Sequence, residues 1–204
     1  MKIRIIRATF FRRDPIGCAR ELVGAELIWG KCAGTIVETE AYLAENDEAC
    51  HTFSRPTARA FIERNRAGAA YIYFSYGAHW MLNVLVKGAV DGFVLIRAAE
   101  PLRGLELMKR RRKIEDERRL CSGPGKLTQA FDITNRHHEM NLCIEPRHCF
   151  ARGAGDVDVV ADERIGITRS AHHPWRFTMR ASKFVSVPVR SLTRSAIDRN
   201  SSPR

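Results

Sequence analysis

No stretch of this 204-residue sequence is apolar for long enough to cross a bilayer, which takes about 18–20 consecutive apolar residues. The first residues, MKIRIIRATFFRRDP, are basic but lack the apolar core and small-residue cleavage site of a signal peptide. No membrane partner is expected. The expected location is the cytoplasm, at the nucleoid in a bacterium, or the nucleus in a eukaryote. Internal repeats and low-complexity segments are absent too, which excludes solenoids and long disorder. The six cysteines (18, 32, 50, 121, 143 and 149) include no C-x-x-C pair. Cys143, His148 and Cys149 have no second ligand pair at zinc-finger spacing, so no metal is expected and the thiols read as reduced and mostly buried.

What is present is a 45% hydrophobic chain, enough for one domain over 1–204, with a polar, basic and loosely held tail over 190–204. Formal net charge is +11, which suggests a polyanionic partner, nucleic acid first. The excess is local. Residues 97–126 hold ten Lys/Arg against five Asp/Glu, and residues 176–204 hold seven against one. By contrast, Glu38, Glu40, Glu45, Asp47 and Glu48 fall within 38–48 with no basic residue among them.

The pattern of elements predicts an α+β fold. Asp14-Pro15 opens a helix as N-cap and first helical position, with Ile16, Ala19, Leu22 and Val23 inward and Gly24 as its stop. Strands are expected at Ala25–Trp29 and Thr35–Tyr42, joined through Gly30 and Gly34. Alternation in the second puts Ile36, Glu38, Glu40 and Tyr42 on one face, an unusual set for a core. Residues 43–69 read as loops with little regular structure. Strands follow at Ala70–Tyr76, His79–Lys87 and Phe93–Ala99. Glu100-Pro101 then opens a helix over Leu102–Lys113, with Leu102, Leu105 and Met108 inward. A short helix follows Gly123-Pro124-Gly125-Lys126. Later strands are expected near Val157–Val160, Arg164–Thr168, Arg176–Arg180 and Phe184–Val187. Strands, then helices, then strands argue for one domain around a largely antiparallel sheet core with surrounding helices.

Four features could carry chemistry. Glu40, on an apolar strand near other carboxylates, should have a raised pKa and suit general-base work on water. Alone, such a residue is more often a surface carboxylate. Tyr42, His51, Tyr71, Tyr73, Tyr76, His79 and Trp80 gather all four tyrosines of the chain within forty residues. Their flat rings could stack on a nucleobase, or simply fill a core. Arg97 sits inside the apolar run FVLIRAA and needs a buried partner, for which Glu40 is available. Gly125 and Lys126 stand in a turn that could meet a phosphate at a helix start. The turn is not a P-loop, because the G-x-x-x-x-G-K-[ST] spacing is missing.

The motifs FFRRDPIGCARELVG (10–24), VETEAYL (37–43), EACH (48–51), YIYFSYGAHWMLN (71–83), VLIRAAEPLRGLELM (94–108), LCSGPGKLTQAF (120–131) and RIGI (164–167) stand in register along nearly the whole chain. Together they resemble the alkyladenine (3-methyladenine) DNA glycosylase family. The resemblance implies a single domain with the formyltransferase C-terminal-domain-like fold, no cofactor, and hydrolysis without a lyase step. The implied partner is double-stranded DNA containing damaged purines, met by a monomer. It makes Glu40 the general base and Arg97 a holder of the water, with the backbone carbonyl of Ile165 as a further water contact. It places Tyr42 and His51 on one side of the flipped base and Tyr73 on the other, with Asn83 and Leu95 in the pocket. Asn83 would disfavour guanine by crowding its exocyclic amine. Tyr76 becomes the wedge in the duplex, while Arg59, Gly125 and Lys126 contact the DNA backbone. The sequence departs from the family at TARA (57–60), at FIERNRAGA (61–69) and at Ala78, where methionine is common. Two rival readings keep the fold: an RNA-acting nucleosidase, and a non-catalytic damage- or RNA-binding module.

Overall fold

Two long strands organise the molecule. In the computed structural model, which describes residues 3–75 and 77–189, β1 (Glu26–Trp29) turns back into β2 (Cys32–Leu43). β2 runs beside the equally long β5 (Gly92–Arg103). β3 (Ala70–Ser75) and β4 (His79–Val86) form a hairpin that continues into β5. β6 (His148–Ala151) lies outside β1. The final pair, β7 (Val159–Asp162) and β8 (Arg176–Met179), joins at β2. Among the described residues, all eight strands belong to one curled sheet and all pairings are antiparallel. The α+β expectation therefore holds.

β2 has two neighbours on one edge, β1 along Cys32–Thr35 and β8 along Glu38–Glu40. Between them the register against β5 shifts around Ile36 and Glu38. A bulge of this kind bends the strand and re-aims its side chains. It corrects the simple alternation read from the sequence. Ile36 joins the main core with Ala41, whereas Glu38 and Glu40 meet Arg97.

Beyond the bulge, period two sorts the residues of four strands. Ala41, Ile72, Leu82, Val84, Val94 and Ile96 face the main core. Tyr71, Asn83, Phe93, Leu95 and Arg97 face the other way and line a cavity. The core face is covered by α1 (Pro15–Leu22), α4 (Leu105–Arg112) and α5 (Pro124–Phe131), through Cys18, Ala19, Leu22, Met108, Leu127, Ala130 and Phe131. α1 starts as expected: the Asp14 carboxylate accepts from the Gly17 N–H at 2.6 Å, with Pro15 at the first helical position. Gly24 follows with φ +89°, a conformation glycine adopts without strain.

Several elements differ from the sequence reading. Residues 43–69 contain α2 (His51–Ser54) and α3 (Pro56–Arg64). Ala58, Phe61 and Ile62 of α3 bury a second, smaller core against Tyr71, Leu85 and Phe93. Glu100 and Pro101 continue β5 rather than opening a helix, because Glu100 pairs with Thr35 and Pro101 with Gly34. Leu102 is consequently exposed, and α4 begins only after Gly104, in the left-handed region at φ +83°. Residues 164–168 and 184–187 are irregular, and β6 is a strand the pattern did not suggest. All six cysteines are free and buried. The tail over 190–204 lies outside the described residues.

Candidate active site

The polar face of β2 and β5 carries a charge cluster that is almost wholly closed to solvent. Glu38 and Glu40 are fully buried and Arg97 is 7% exposed. Arg97 bridges both carboxylates, with Nε 2.9 Å from Glu38 Oε1 and Nη1 3.3 Å from Glu40 Oε2. The expected Arg97–Glu40 pair is there, but Glu38 is the nearer partner. Glu38 also takes Arg176 Nε at 2.8 Å, the Ser186 N–H at 2.6 Å and the Ser186 hydroxyl at 2.7 Å. Burial pushes the Glu38 carboxyl upward, yet Arg97, Arg176 and Ser186 outweigh it and hold it below its ordinary value.

Glu40 is held differently. Its Oε2 accepts from the Tyr42 hydroxyl at 2.7 Å and from Arg97. Its Oε1 accepts the backbone N–H of Ile165 at 2.7 Å. Burial dominates here and raises its pKa, with Glu38 adding to the rise, against Arg97, the Ile165 N–H and Tyr42. Two carboxylates two residues apart are thus pushed in opposite directions. Glu38 is a fixed anion and Glu40 a stronger base, the separation that assigns acid–base roles in hydrolytic sites. Burial and the Glu40 charge keep the Tyr42 phenol protonated, as the donor in that bond.

Tyr42, Arg97 and Ile165 all hold Glu40 and all line a cavity of about 370 Å³. That size is within the usual range for small-ligand sites. His51, Tyr71, Tyr73, Asn83 and Leu95 line it as well. Burial, helped by Arg55, lowers His51 to about 4, so its ring is neutral at neutral pH, and its Nδ1 lies 3.1 Å from the Tyr71 hydroxyl. Burial raises Tyr71 and Tyr73 to about 12. Asn83 is buried and donates to the Tyr71 carbonyl at 3.2 Å. The rings of His51 and Tyr73 touch, with centroids 4.2 Å apart and planes at 61°.

The remaining sequence candidates stand apart. Arg59 is exposed on α3 and donates to the Thr52 carbonyl, tying α3 to α2. Gly125 is packed under His79, and Lys126 is exposed at the start of α5, whose Pro124 reaches the cavity. Tyr76 lies outside the described residues. The basic stretch over 97–126 is less available than its composition suggests. Arg97 is buried, Lys109 lies within 4 Å of Glu106, Glu115 and Glu117, and Arg111 and Arg112 bind the carbonyls of Ala130 and Leu120. Among the described residues, no group of three or more His, Cys, Asp or Glu is arranged to hold a metal ion. No described helix is long and apolar enough to cross a membrane.

Sequence reasoning missed the partners of this cluster: Arg176, Ser186, and the buried pair Arg164–Asp47, whose oxygens and nitrogens meet at 2.7 and 2.8 Å. Arg164, Arg176 and Ser186 lie more than a hundred residues from the strand they serve, and no local period marks them. An apolar or polar neighbourhood could be read only for Arg97, whose strand is apolar throughout.

A tuned, buried carboxylate beside a ring-walled cavity suits hydrolysis of a flat substrate. The similarity of the chain to known proteins gives that class a family. Residues 9–183 match the model of the methylpurine-DNA glycosylase family. A protein of Rhodopseudomonas palustris (strain HaA2), named "Putative 3-methyladenine DNA glycosylase", is 44% identical over 187 residues, covering 91% of this chain and 92% of that protein. Proteins of the same name from R. palustris (strain BisB18) and Nitrosospira multiformis are 46% and 44% identical over 184 and 181 residues. They are covered over 91% and 93% of their lengths, and cover 90% and 88% of this chain. The chain belongs to the methylpurine-DNA glycosylase family, and with it to the DNA-repair hydrolases that cleave N-glycosyl bonds.

Proposed function

We propose that this chain releases damaged purines of the 3-methyladenine, 7-methylguanine, hypoxanthine and ethenoadenine class from duplex DNA, using a water activated by Glu40. The observation that carries this reading is Glu40 itself: fully buried, raised in pKa, and held by three donors that all line the cavity. A carboxylate offers about four lone-pair positions and three are occupied, which leaves one on Oε1 for a water.

A base inside a duplex shields its glycosidic bond, so the nucleotide must leave the stack, at a cost of a few kcal/mol that is smallest for damaged or mispaired bases. Tyr76 would fill the gap. Tyr42, His51 and Tyr73 would stack on the extruded base. To admit a ring at van der Waals distance from each, His51 and Tyr73 must part by about 3 Å. A neutral His51 adds no further positive charge to walls that already hold Arg55 and Arg97, which suits cationic alkylpurines. Asn83 would crowd the exocyclic amine of guanine, and Leu95 would pack beneath the ring. Arg97 and the Ile165 carbonyl would hold the water while Glu40 takes its proton and its oxygen attacks C1′ as the purine departs. No lysine is among the described residues that line the cavity, where one could form a Schiff base, so the product is an abasic site with the strand intact. Arg59, Gly125 and Lys126 would meet backbone phosphates.

Glu40→Gln keeps the shape and removes the base. Its single-turnover rate on a duplex holding inosine or 3-methyladenine should fall by about 10²–10⁴-fold, the usual size of a general-base contribution. Release of free base at the wild-type rate would overturn the assignment.

A further inference from the structure

The donors around Glu40 do not all stand on the sheet. One is the N–H of Ile165, on the irregular segment after β7, and that segment is fixed by its neighbour Arg164. The Arg164 side chain is fully buried. Its two terminal nitrogens meet both oxygens of Asp47 at 2.7 and 2.8 Å, and also donate to the carbonyls of Ala41 and Ser170, each at 3.0 Å. Asp47 is held in turn by the N–H groups of Leu43 and Ala49, both at 3.1 Å. The guanidinium carbon stacks 4.6 Å from the Tyr42 ring centroid and 5.0 Å from that of Trp175.

Two of the three donors to Glu40 therefore hang on this one side chain: the Ile165 N–H by chain connection and the Tyr42 hydroxyl by the stack. We infer that Arg164, neutralised by Asp47, is a positioning residue that sets the orientation and basicity of Glu40. The inference rests on the reading of Glu40 as the base. It differs from an ordinary structural role because an ion pair worth only its packing could be replaced without altering how Glu40 titrates. The other charged and titratable groups around Glu40 are Arg97 from β5, Glu38 and Tyr42 from β2, and Tyr73 from β3, with Arg176 from β8 behind Glu38. Asp47 connects to Glu40 by two routes, through the Arg164 guanidinium and through the Leu43 N–H next to Tyr42, and only the first depends on the Arg164 cation.

The test is the acid limb of the single-turnover rate against pH, normalised to active molecules, on one inosine-containing duplex. Asp47→Asn keeps the shape but leaves the Arg164 cation uncompensated, which favours the carboxylate. The limb should move to lower pH by about one unit. The double variant Arg164→Met/Asp47→Leu replaces the pair by apolar groups of similar volume, an exchange buried pairs commonly tolerate. It frees Ile165 and Tyr42, so the limb should move to higher pH and the plateau rate should fall on the order of tenfold to a hundredfold. Substrate affinity should change little, and Glu40→Gln should abolish the limb in every background. Limbs that stay at the wild-type position in the folded double variant, with a wild-type plateau, would overturn the inference. A limb that survives Glu40→Gln would instead overturn the reading of Glu40 as base. Should Asp47→Asn not fold, the double variant alone decides.

Discussion

The same strands build two faces of opposite chemistry. Toward α1, α4 and α5, β2, β4 and β5 present Ala41, Leu82, Val84, Val94 and Ile96, a surface solved by packing alone. At alternate positions the same strands present Glu38, Glu40, Asn83 and Arg97, a surface solved by pairing. Both are equally dry, since Glu38, Glu40, Val94 and Ile96 all have no exposed area. The difference lies in what holds each face together. An apolar face loses stability in proportion to the atoms removed, whereas a charged one fails when a single partner is taken away. A site that must keep a carboxylate basic can tolerate that fragility, and a core has no reason to.

Glu38→Gln gives the sharpest break. It leaves Arg97 and Arg176 sharing a neutral amide in a sealed environment. Unfolding by denaturant should show a loss of about 3–5 kcal/mol, the usual cost of removing one partner of a buried pair. The same carboxylate makes an acid signature. Glu38 has a folded pKa below its unfolded one, so the stability it contributes is complete above the unfolded carboxylate value of about 4.3 and is lost as pH falls through the depressed folded value. The variant should lack that component of the acid loss. An acid unfolding curve parallel to that of the wild type would show that Glu38 is not what links this face to pH.

Ile96→Ala tests the opposite face, at a position paired across the sheet with Thr39 and next in sequence to Arg97. The cavity it leaves should cost about 2–5 kcal/mol, as for other buried large-to-small changes. The single-turnover rate per folded molecule should stay near that of the wild type. A loss of rate on the scale expected for Glu40→Gln would mean that the two faces are not separable.

Which of these residues could be read in advance follows from how far their causes reach. Period two within one strand is enough to place Glu40 beside Tyr42, and a lone arginine in FVLIRAA announces a buried partner. The bulge near Val37 breaks that period from outside, because β2 changes neighbours there from β1 to β8. Simple alternation therefore puts Ile36 on the face of Glu40, whereas it packs in the main core. α3 resembles loop in sequence because Arg59, Glu63 and Arg64 dilute its apolar side, and Phe61 against Tyr71 and Phe93 makes it worth forming. Leu102 has helical spacing, but pairing with β2 carries the strand to Arg103. Arg164 and Asp47 are separated by 117 residues, and their partnership exists only once β7 and β8 have docked on β2. The family motifs placed RIGI near the site without saying what its arginine does there.

The smallest expected effect concerns a polar side chain that β2 turns toward α1. Thr39 is buried and its hydroxyl donates to the Ala19 carbonyl at 2.7 Å. Ala19 lies in the last turn of α1, where carbonyls have no partner within the helix. The hydroxyl supplies one, and so fastens the helix to the strand that carries Glu40. Thr39→Val keeps the shape, adds a methyl to an apolar neighbourhood, and leaves that carbonyl unpaired in a dry place. The penalty for an unsatisfied buried acceptor is about 1–3 kcal/mol. The added apolar contact should bring the net loss toward the lower end of that range. Denaturant unfolding of Thr39→Val and Glu38→Gln side by side would decide the comparison. If the neutral hydroxyl proved as costly to remove as the neighbouring carboxylate, charge pairing would not be what sets the two faces apart. The bulge between them would then have to carry the difference.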